Sequence, residues 1–257
     1  MEVRYMTATL VRSRTEAGVM SLTLARPEKK NALSVPMYRL LTAALEQASA
    51  NSAVHVVLLD AEGDDFCAGN DIGDFITLGQ VDTPLAQSEV FRFLRALASF
   101  DKPLVAAVRG RAVGIGTTLL LHCDLAYVAE DARLSTPFVD LALVPEAASS
   151  WLMPARIGHV RAFALFALGE VLDGRTAASF GLANAALPAA EVSARALAAS
   201  QRLAAQPPQS LQATRRLMRE PERMLARVEA ECVAFAERLA SPEAQARFQA
   251  FIERRAR

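Results

Sequence analysis

The chain has 257 residues, enough for one large domain, or a core with an appendage, around a sizeable buried interior. Its 28 lysines and arginines balance 28 aspartates and glutamates, which argues against charge-driven binding of nucleic acid or an anionic membrane as its main task. Cys67, Cys123 and Cys232 lie far apart with no Cys-x-x-Cys pair, so no disulfide framework or metal site is expected; the N-terminal stretch lacks an apolar signal core and no segment is apolar enough to span a bilayer, so the expected location is the cytoplasm.

In chain order, "GVMSLTLARP" (18–27) reads as a strand running into a turn. Ser34 stands where a helix would be capped, and Met37, Leu40, Leu41, Ala44, Leu45 and Ala48 follow at helical spacing. "VHVVLLD" (54–60), "LVAAV" (104–108) and "LAYVA" (125–129) are short, nearly continuous apolar runs, as expected of strands covered on both faces. Val90, Phe93, Leu94 and Leu97 mark a helix among them, so strands alternate with helices in a largely parallel α/β arrangement. From about residue 158 helical patterns take over and strand-like runs are expected to stop. Gly174 to Phe180 reads as a short helix ended by Gly181. Pro207 and Pro208 break the chain before a helical tail. Its last helix has Ser241 as cap, Pro242 at the first position and an apolar face of Phe248, Phe251 and Ile252. Arg215, Arg216 and Arg219 form the densest basic patch of that tail and read as a solvated or subunit-facing surface.

Two loops are built to present backbone donors. In "DFCAGNDI" (65–72) a small Ala-Gly pair lets a ligand approach the main chain, and the amide of Asn70 precedes a helical start. In "RGRAVGIGTTLLLHCD" (109–124), Gly114 and Gly116 flank Ile115, whose amide opens a second helical run. Two such donors aimed at one point make an oxyanion hole. Each glycine loop alone also reads as a tight connection, and the second does not supply the dinucleotide-binding spacing. A third stretch, "LALVPEAASSWLMPA" (141–155), carries one charge, Glu146, directly after a proline. Such a glutamate either begins a helix or moves protons.

The segments "RPEKKNALS" (26–34), "DFCAGND" (65–71), "AVGIGTTLLLHCDLAYVAEDARLSTPF" (112–138) and "FGLANAALP" (180–188) together resemble the enoyl-CoA hydratase/isomerase (crotonase) family over most of the chain. The resemblance implies a spiral of ββα turns over about residues 1–200. It also implies a C-terminal helical region over about 201–257 that builds homotrimers or dimers of trimers. It implies acyl-CoA thioester substrates, with CoA as part of the substrate and no separate cofactor. By the same resemblance the thioester oxygen sits between the amides of Asn70 and Ile115. Lys29, Ala32, Leu33, Ala68, Asp71 and Ile72 border the CoA, with Gly114 beside them in the second loop.

The family's hydratases use two glutamates to place a water. Matched position by position, these fall at Thr118 and Phe138, which by the resemblance border the substrate but are not carboxylates. The stretch after "TPF" is similar instead to the Δ3,Δ2-enoyl-CoA isomerase branch, where the acid of the Pro-Glu pair is the single base; Glu146 matches it. An allylic shift needs no water, so one carboxylate suffices: it takes a proton from C2 of a 3-enoyl-CoA and returns it at C4. Apolar surroundings raise the pKa of such a group and a helix N-terminus lowers it, so the sign of the shift stays open. The reading requires Glu146 to be turned away from bulk solvent. The nearest competing acid, Asp140, has an expected structural or solvated role. His122, Cys123 and Asp124 are adjacent and point in different directions, so they do not read as a triad. His55, His159 and Trp151 read as packing or surface residues. Three alternatives stand beside the isomerase: an enoyl-CoA hydratase, an isomerase of a ring-derived CoA thioester, and an oligomeric RNA-associated protein without catalysis.

Overall fold

The structure, a computed structural model, describes residues 10–78 and 84–256. It opens with β1 (Val11–Glu16) and β2 (Val19–Leu24), a hairpin whose two turn residues, Ala17 and Gly18, have the positive φ angles (48° and 78°) a tight hairpin needs. α1 (Val35–Ala50) buries Met37, Leu41, Leu45 and Ala48 as the spacing predicts, whereas Leu40 faces outward. Ser34 holds the capping position but its hydroxyl makes no cap bond; the Val35 amide donates to Asp74 Oδ2 at 2.7 Å instead. Then follow β3 (Val56–Ala61), α2 (Ile72–Leu78), α3 (Glu89–Ser99), β4 (Leu104–Val108), β5 (Arg111–Val113), the single turn α4 (Ile115–Thr118), β6 (Leu125–Ala129) and β7 (Arg133–Ser135). The second half comprises α5 (Ser149–Ile157), α6 (His159–Ala167), β8 (Val171–Asp173), α7 (Gly174–Ser179), β9 (Ala185–Leu187) and α8 (Ala189–Ala204). The tail is α9 (Pro208–Leu217), α10 (Pro221–Leu239) and α11 (Pro242–Ala256).

A six-stranded sheet runs in the order β1-β2-β3-β4-β6-β9, parallel except for the opening hairpin. β4 is buried at every residue, as its unbroken apolar run requires, and α8 packs along β3, β4 and β6. A second sheet, β5-β7-β8, holds the other strand of each turn, so that β4–β5–α4 and then β6–β7–α5 trace the expected ββα spiral. Single rungs widen this small sheet: Cys67 bridges Ala112, and Leu33 bridges Asn70. Those rungs bring the loops at 30–33, 67–70 and 112–116 side by side.

Several expectations need correction. Strands do not stop at residue 158: β8 and β9 are three residues each, too short to show a periodicity, and find their place by pairing with β7 and β6. β1, "VRSRTE", buries only Val11 and gave no apolar signal because it is a charged edge strand. The arginine patch is not simply solvated. Arg215 is buried and reaches Asp124 at 2.7 Å and the carbonyl of Phe100 at 2.5 Å, while Arg219 donates to the carbonyl of His122 at 2.8 Å; Arg216 alone of the three faces solvent. Ser241 does cap α11, accepting from the Ala244 amide at 3.2 Å, and Phe248 is buried; the side chains of Phe251 and Ile252 lie outside the described residues. Gly181, at φ 82°, follows α7 as expected.

Gly174 shows how closely the spiral is wound. A Cβ there would lie 1.8 Å from the carbonyl oxygen of Ala129, at the end of β6. Gly158 has open space but a φ of 86°. Gly174→Ala is therefore expected to cost about 3 kcal/mol through overpacking and Gly158→Ala about 1 kcal/mol through backbone strain. Urea titration of both variants checks the order, and an equal loss in the two contradicts the packing argument.

Candidate active site

The two donor loops lie against each other. The Val113 amide donates to the Cys67 carbonyl at 2.9 Å, and a Cβ on Gly116 would come within 2.7 Å of that same oxygen. Gly69, at φ 92°, passes the Val113 carbonyl so closely that only glycine fits without displacement. Among the described residues, the amides of Asn70 and Ile115 donate to no protein acceptor, whereas their neighbours Asp71 and Thr117 do. Ile115 opens α4, so its free amide carries the positive end of a helical turn. The Asn70 side chain is held from beneath: the hydroxyl of Tyr38, on the buried face of α1, donates to its Oδ1.

Glu146 is turned away from solvent, only 3% exposed. Thr118, the last residue of α4, donates its hydroxyl to Glu146 Oε1 at 2.6 Å, which places the carboxyl one helical turn from the Ile115 amide. The second oxygen, Oε2, is buried without a hydrogen-bond partner among the described residues. Burial pushes the carboxyl up to about 8; the Thr118 hydroxyl pulls it down, and the negative charge of Glu231 pushes it further up. Tyr38 and Cys67 are close enough to feel the charge of Glu146; burial first, then that charge, raises the Tyr38 hydroxyl well above its usual value, and the Cys67 thiol stands at about 12. Of Glu146, Tyr38 and Cys67, Glu146 is the one whose proton is exchangeable near neutral pH.

Glu146 does not cap the helix that follows it. Ala147 and Ala148 take left-handed conformations (φ 60° and 56°), and α5 begins only at Ser149. The free amides at that helix start are taken by another acid: Glu231, from α10, accepts from Ala148 at 2.6 Å and from Ser150 at 2.9 Å. His122 holds the loop from the other side. Its Nε2 donates to the Ala147 carbonyl at 2.7 Å, while Arg219 lies 3.4 Å from its Nδ1. Burial lowers the imidazole to about 3, so it is the neutral tautomer with Nε2 protonated that makes this bond.

The structure pairs 30–33 with 68–71. Leu33 donates to Gly69 at 2.8 Å, Asp71 to the Leu33 carbonyl at 2.9 Å and Ala68 to the Lys30 carbonyl at 2.9 Å, with Ala32 between them. Asp71 forms an ion pair with Arg26 at 2.7 Å. Burial works to raise this carboxyl, but the Arg26 guanidinium outweighs it and holds the group below its usual range. Lys29 is exposed on the turn Pro27–Lys29, and Ile72 begins α2 half-buried. Gly114 (φ 55°) has no atom near its Cβ position. Phe138 is buried against Phe166. Asp140 is exposed, Cys123 is pushed up to about 12 by burial, and Asp124 is occupied by Arg215. Tyr38, Asn31, His122 and Glu231 were not picked out in the sequence as parts of the site. Asn31, fully buried, ties the carbonyls of Glu62 and Asp65 and the Arg26 amide together and so fixes the first loop.

The sequence profile of the enoyl-CoA hydratase/isomerase family matches residues 14–257. The chain belongs to this family. Members act on acyl-CoA thioesters. Among curated relatives, enoyl-CoA delta isomerase 2 of Rattus norvegicus is 33% identical over 246 residues, 94% of this chain, which spans 63% of that protein's length. A probable enoyl-CoA hydratase of Bacillus subtilis is 32% identical, covering 92% of this chain and 93% of its own. Among solved structures, Pseudomonas aeruginosa OdaA superposes with a TM-score of 0.90 at 45% identity, covering 95% of this chain and 99% of its own. Among the described residues no helix is long and apolar enough to cross a membrane.

The raised pKa of Glu146 has a consequence for stability. The folded protein holds this proton more tightly than the unfolded chain, whose value is near 4.5. The contribution is therefore fully present below about 4.5 and is lost as pH rises through about 8. Glu146→Gln removes that loss, so the melting temperature of the variant should gain on the parent by a few degrees between pH 5 and pH 8.5. Parallel melting curves across that range speak against a buried, protonated Glu146.

Proposed function

We propose that this family member isomerises a 3-enoyl-CoA thioester to the conjugated 2-enoyl-CoA, with Glu146 as the single acid–base. The observation that carries the reading is the buried carboxyl of Glu146, hydrogen-bonded to Thr118 on the helical turn that Ile115 opens, with one oxygen that has no protein partner among the described residues. The thioester oxygen accepts from the amides of Asn70 and Ile115. Those donors favour the enolate over the neutral ester, because the charge that develops falls on the oxygen they face. Glu146 Oε2 removes the C2 proton as that charge forms, and the same carboxyl returns the proton at C4. No second acid is needed: Thr118 and Phe138 stand where, by resemblance, the hydratase glutamates fall, and neither is a carboxylate. The isomerase names among the relatives support this reading, and the hydratase name of the Bacillus relative makes hydration the competing outcome. The RNA-associated alternative loses support, because Arg215 and Arg219 are engaged inside the protein.

The test is incubation with a 3-enoyl-CoA, following the conjugated thioester by its ultraviolet absorbance, beside hydration of crotonyl-CoA. Isomerisation is expected to dominate, and Glu146→Gln to lose about a hundredfold or more in kcat with little change in KM. Full activity in Glu146→Gln, or a faster hydration than shift, discards the assignment. Because the base must be ionised, kcat/KM should rise with pH and level off above about 8, the value of the free-enzyme carboxyl. A profile that is flat from pH 6 to 9 contradicts a base with that environment.

A further inference from the structure

Among the described residues Glu231 is the one buried acid besides Glu146, and it is tied to the loop that Glu146 begins. It lies 83 residues from Ala148 along the chain, is 6% exposed, and has both carboxyl oxygens occupied by main-chain amides, one at the end of the loop that begins with Glu146 and one in the first turn of α5. We propose that Glu231 is a positioning residue: from the C-terminal helical region it clasps the amides of Ala148 and Ser150 and thereby fixes the direction and the charge environment of the base. The inference rests on the reading of Glu146 as that base.

Three observations support the clasp. First, the loop does not hold its shape unaided, because two successive alanines sit in the left-handed region, a conformation that costs free energy at each residue and persists only where surrounding contacts impose it. Second, those contacts are long-range and come from opposite sides. Glu231 takes the amides of 148 and 150, and His122, itself held by Arg219, takes the carbonyl of 147. Third, capping by Glu231 releases Glu146 from the role its place in the sequence suggests. With the helix start satisfied by one acid, the other turns to Thr118 and keeps an oxygen free.

The charges around the pair are defined. Glu146 faces Thr118, Tyr38, Cys67 and Glu231; Glu231 faces the two amides and the positive charge of Arg227. Burial raises Glu231 to about 7, against the downward pull of the Ser150 side chain, the two amides and Arg227. With two N–H groups donating to its two oxygens, Glu231 is the acid that ionises first, and its charge keeps the proton on Glu146 to higher pH.

The experiment compares the full-length protein with Glu231→Gln, Glu231→Asp and Glu146→Gln. In Glu231→Gln the side-chain amide must set a donor against one of the loop's own donors, and the charge is gone. The expected result is a kcat lower by about tenfold to a hundredfold, a KM within about twofold, and an acid limb displaced downward by about half a pH unit. Glu231→Asp keeps the charge with a shorter reach, so kcat should fall while the limb stays in place. A 13C titration of the carboxyl signal missing from Glu146→Gln reads the same displacement without any substrate. An unmoved Glu146 titration in Glu231→Gln overturns the inference whatever the activity, as does a lowered melting temperature with unchanged kcat and limb. Full activity in Glu146→Gln instead removes the reading of the base itself, which separates the two failures.

Discussion

A carboxyl buried without a cation must be held by neutral donors, and Glu146 has one, the hydroxyl of Thr118. That bond fixes the relation between two parts of the chain that otherwise have no reason to meet. Thr118 ends the single turn α4, whose first amide, on Ile115, is free; Glu146 leads a loop running into α5. A donor for oxygen and an acceptor for a proton are thus mounted on one short helical turn and its neighbour. An arginine or lysine at 118 would neutralise the acid and pull its pKa down, so a neutral donor is what leaves the group able to exchange a proton near pH 8.

The fold supplies the rest by placing one strand of each ββα turn in a narrow sheet. The rungs Cys67–Ala112 and Leu33–Asn70 are single pairs, yet they align three loops from successive turns. Glycine suits the places where these loops cross, because a Cβ would come 3.1 Å from the Val113 carbonyl oxygen at Gly69 and 2.7 Å from the Cys67 carbonyl oxygen at Gly116. Polar residues buried nearby are satisfied in ways that tie loops to one another: Asn31 holds the first, Tyr38 steadies Asn70, and Arg26 neutralises Asp71.

Much of this was legible in the sequence. The apolar runs at 104–108 and 125–129 coincide with strands because strands covered on both faces need no alternation. The glycine loops and the isolated Glu146 stood out because their composition departs from their surroundings. Tyr38 did not, since it occupies an apolar slot between Met37 and Leu41 and reads as core, with nothing in the spacing to announce its hydroxyl's partner. Glu231 sits in "RVEAECVAFAER", where Val228, Cys232 and Phe235 mark an apolar helical face that takes in position 231, but nothing in that spacing announces its partners, two amides 81 and 83 residues away along the chain. The bond from His122 to Ala147 is visible only once the loop folds back upon it. The short strands β8 and β9 were lost for the same reason: three residues carry no period, and only a neighbour defines them.

The pair of alanines after Glu146 bears on how the protein can change over generations. Glycine at either place would relax the backbone at once, and a stability screen would reward it. The relaxed loop would also lie comfortably in several shapes, and the acid at its head would wander among them. Keeping a methyl group there narrows the choices to one, so selection for a hardier fold and, on the chemistry proposed for Glu146, selection for a faster catalyst pull these two codons in opposite directions.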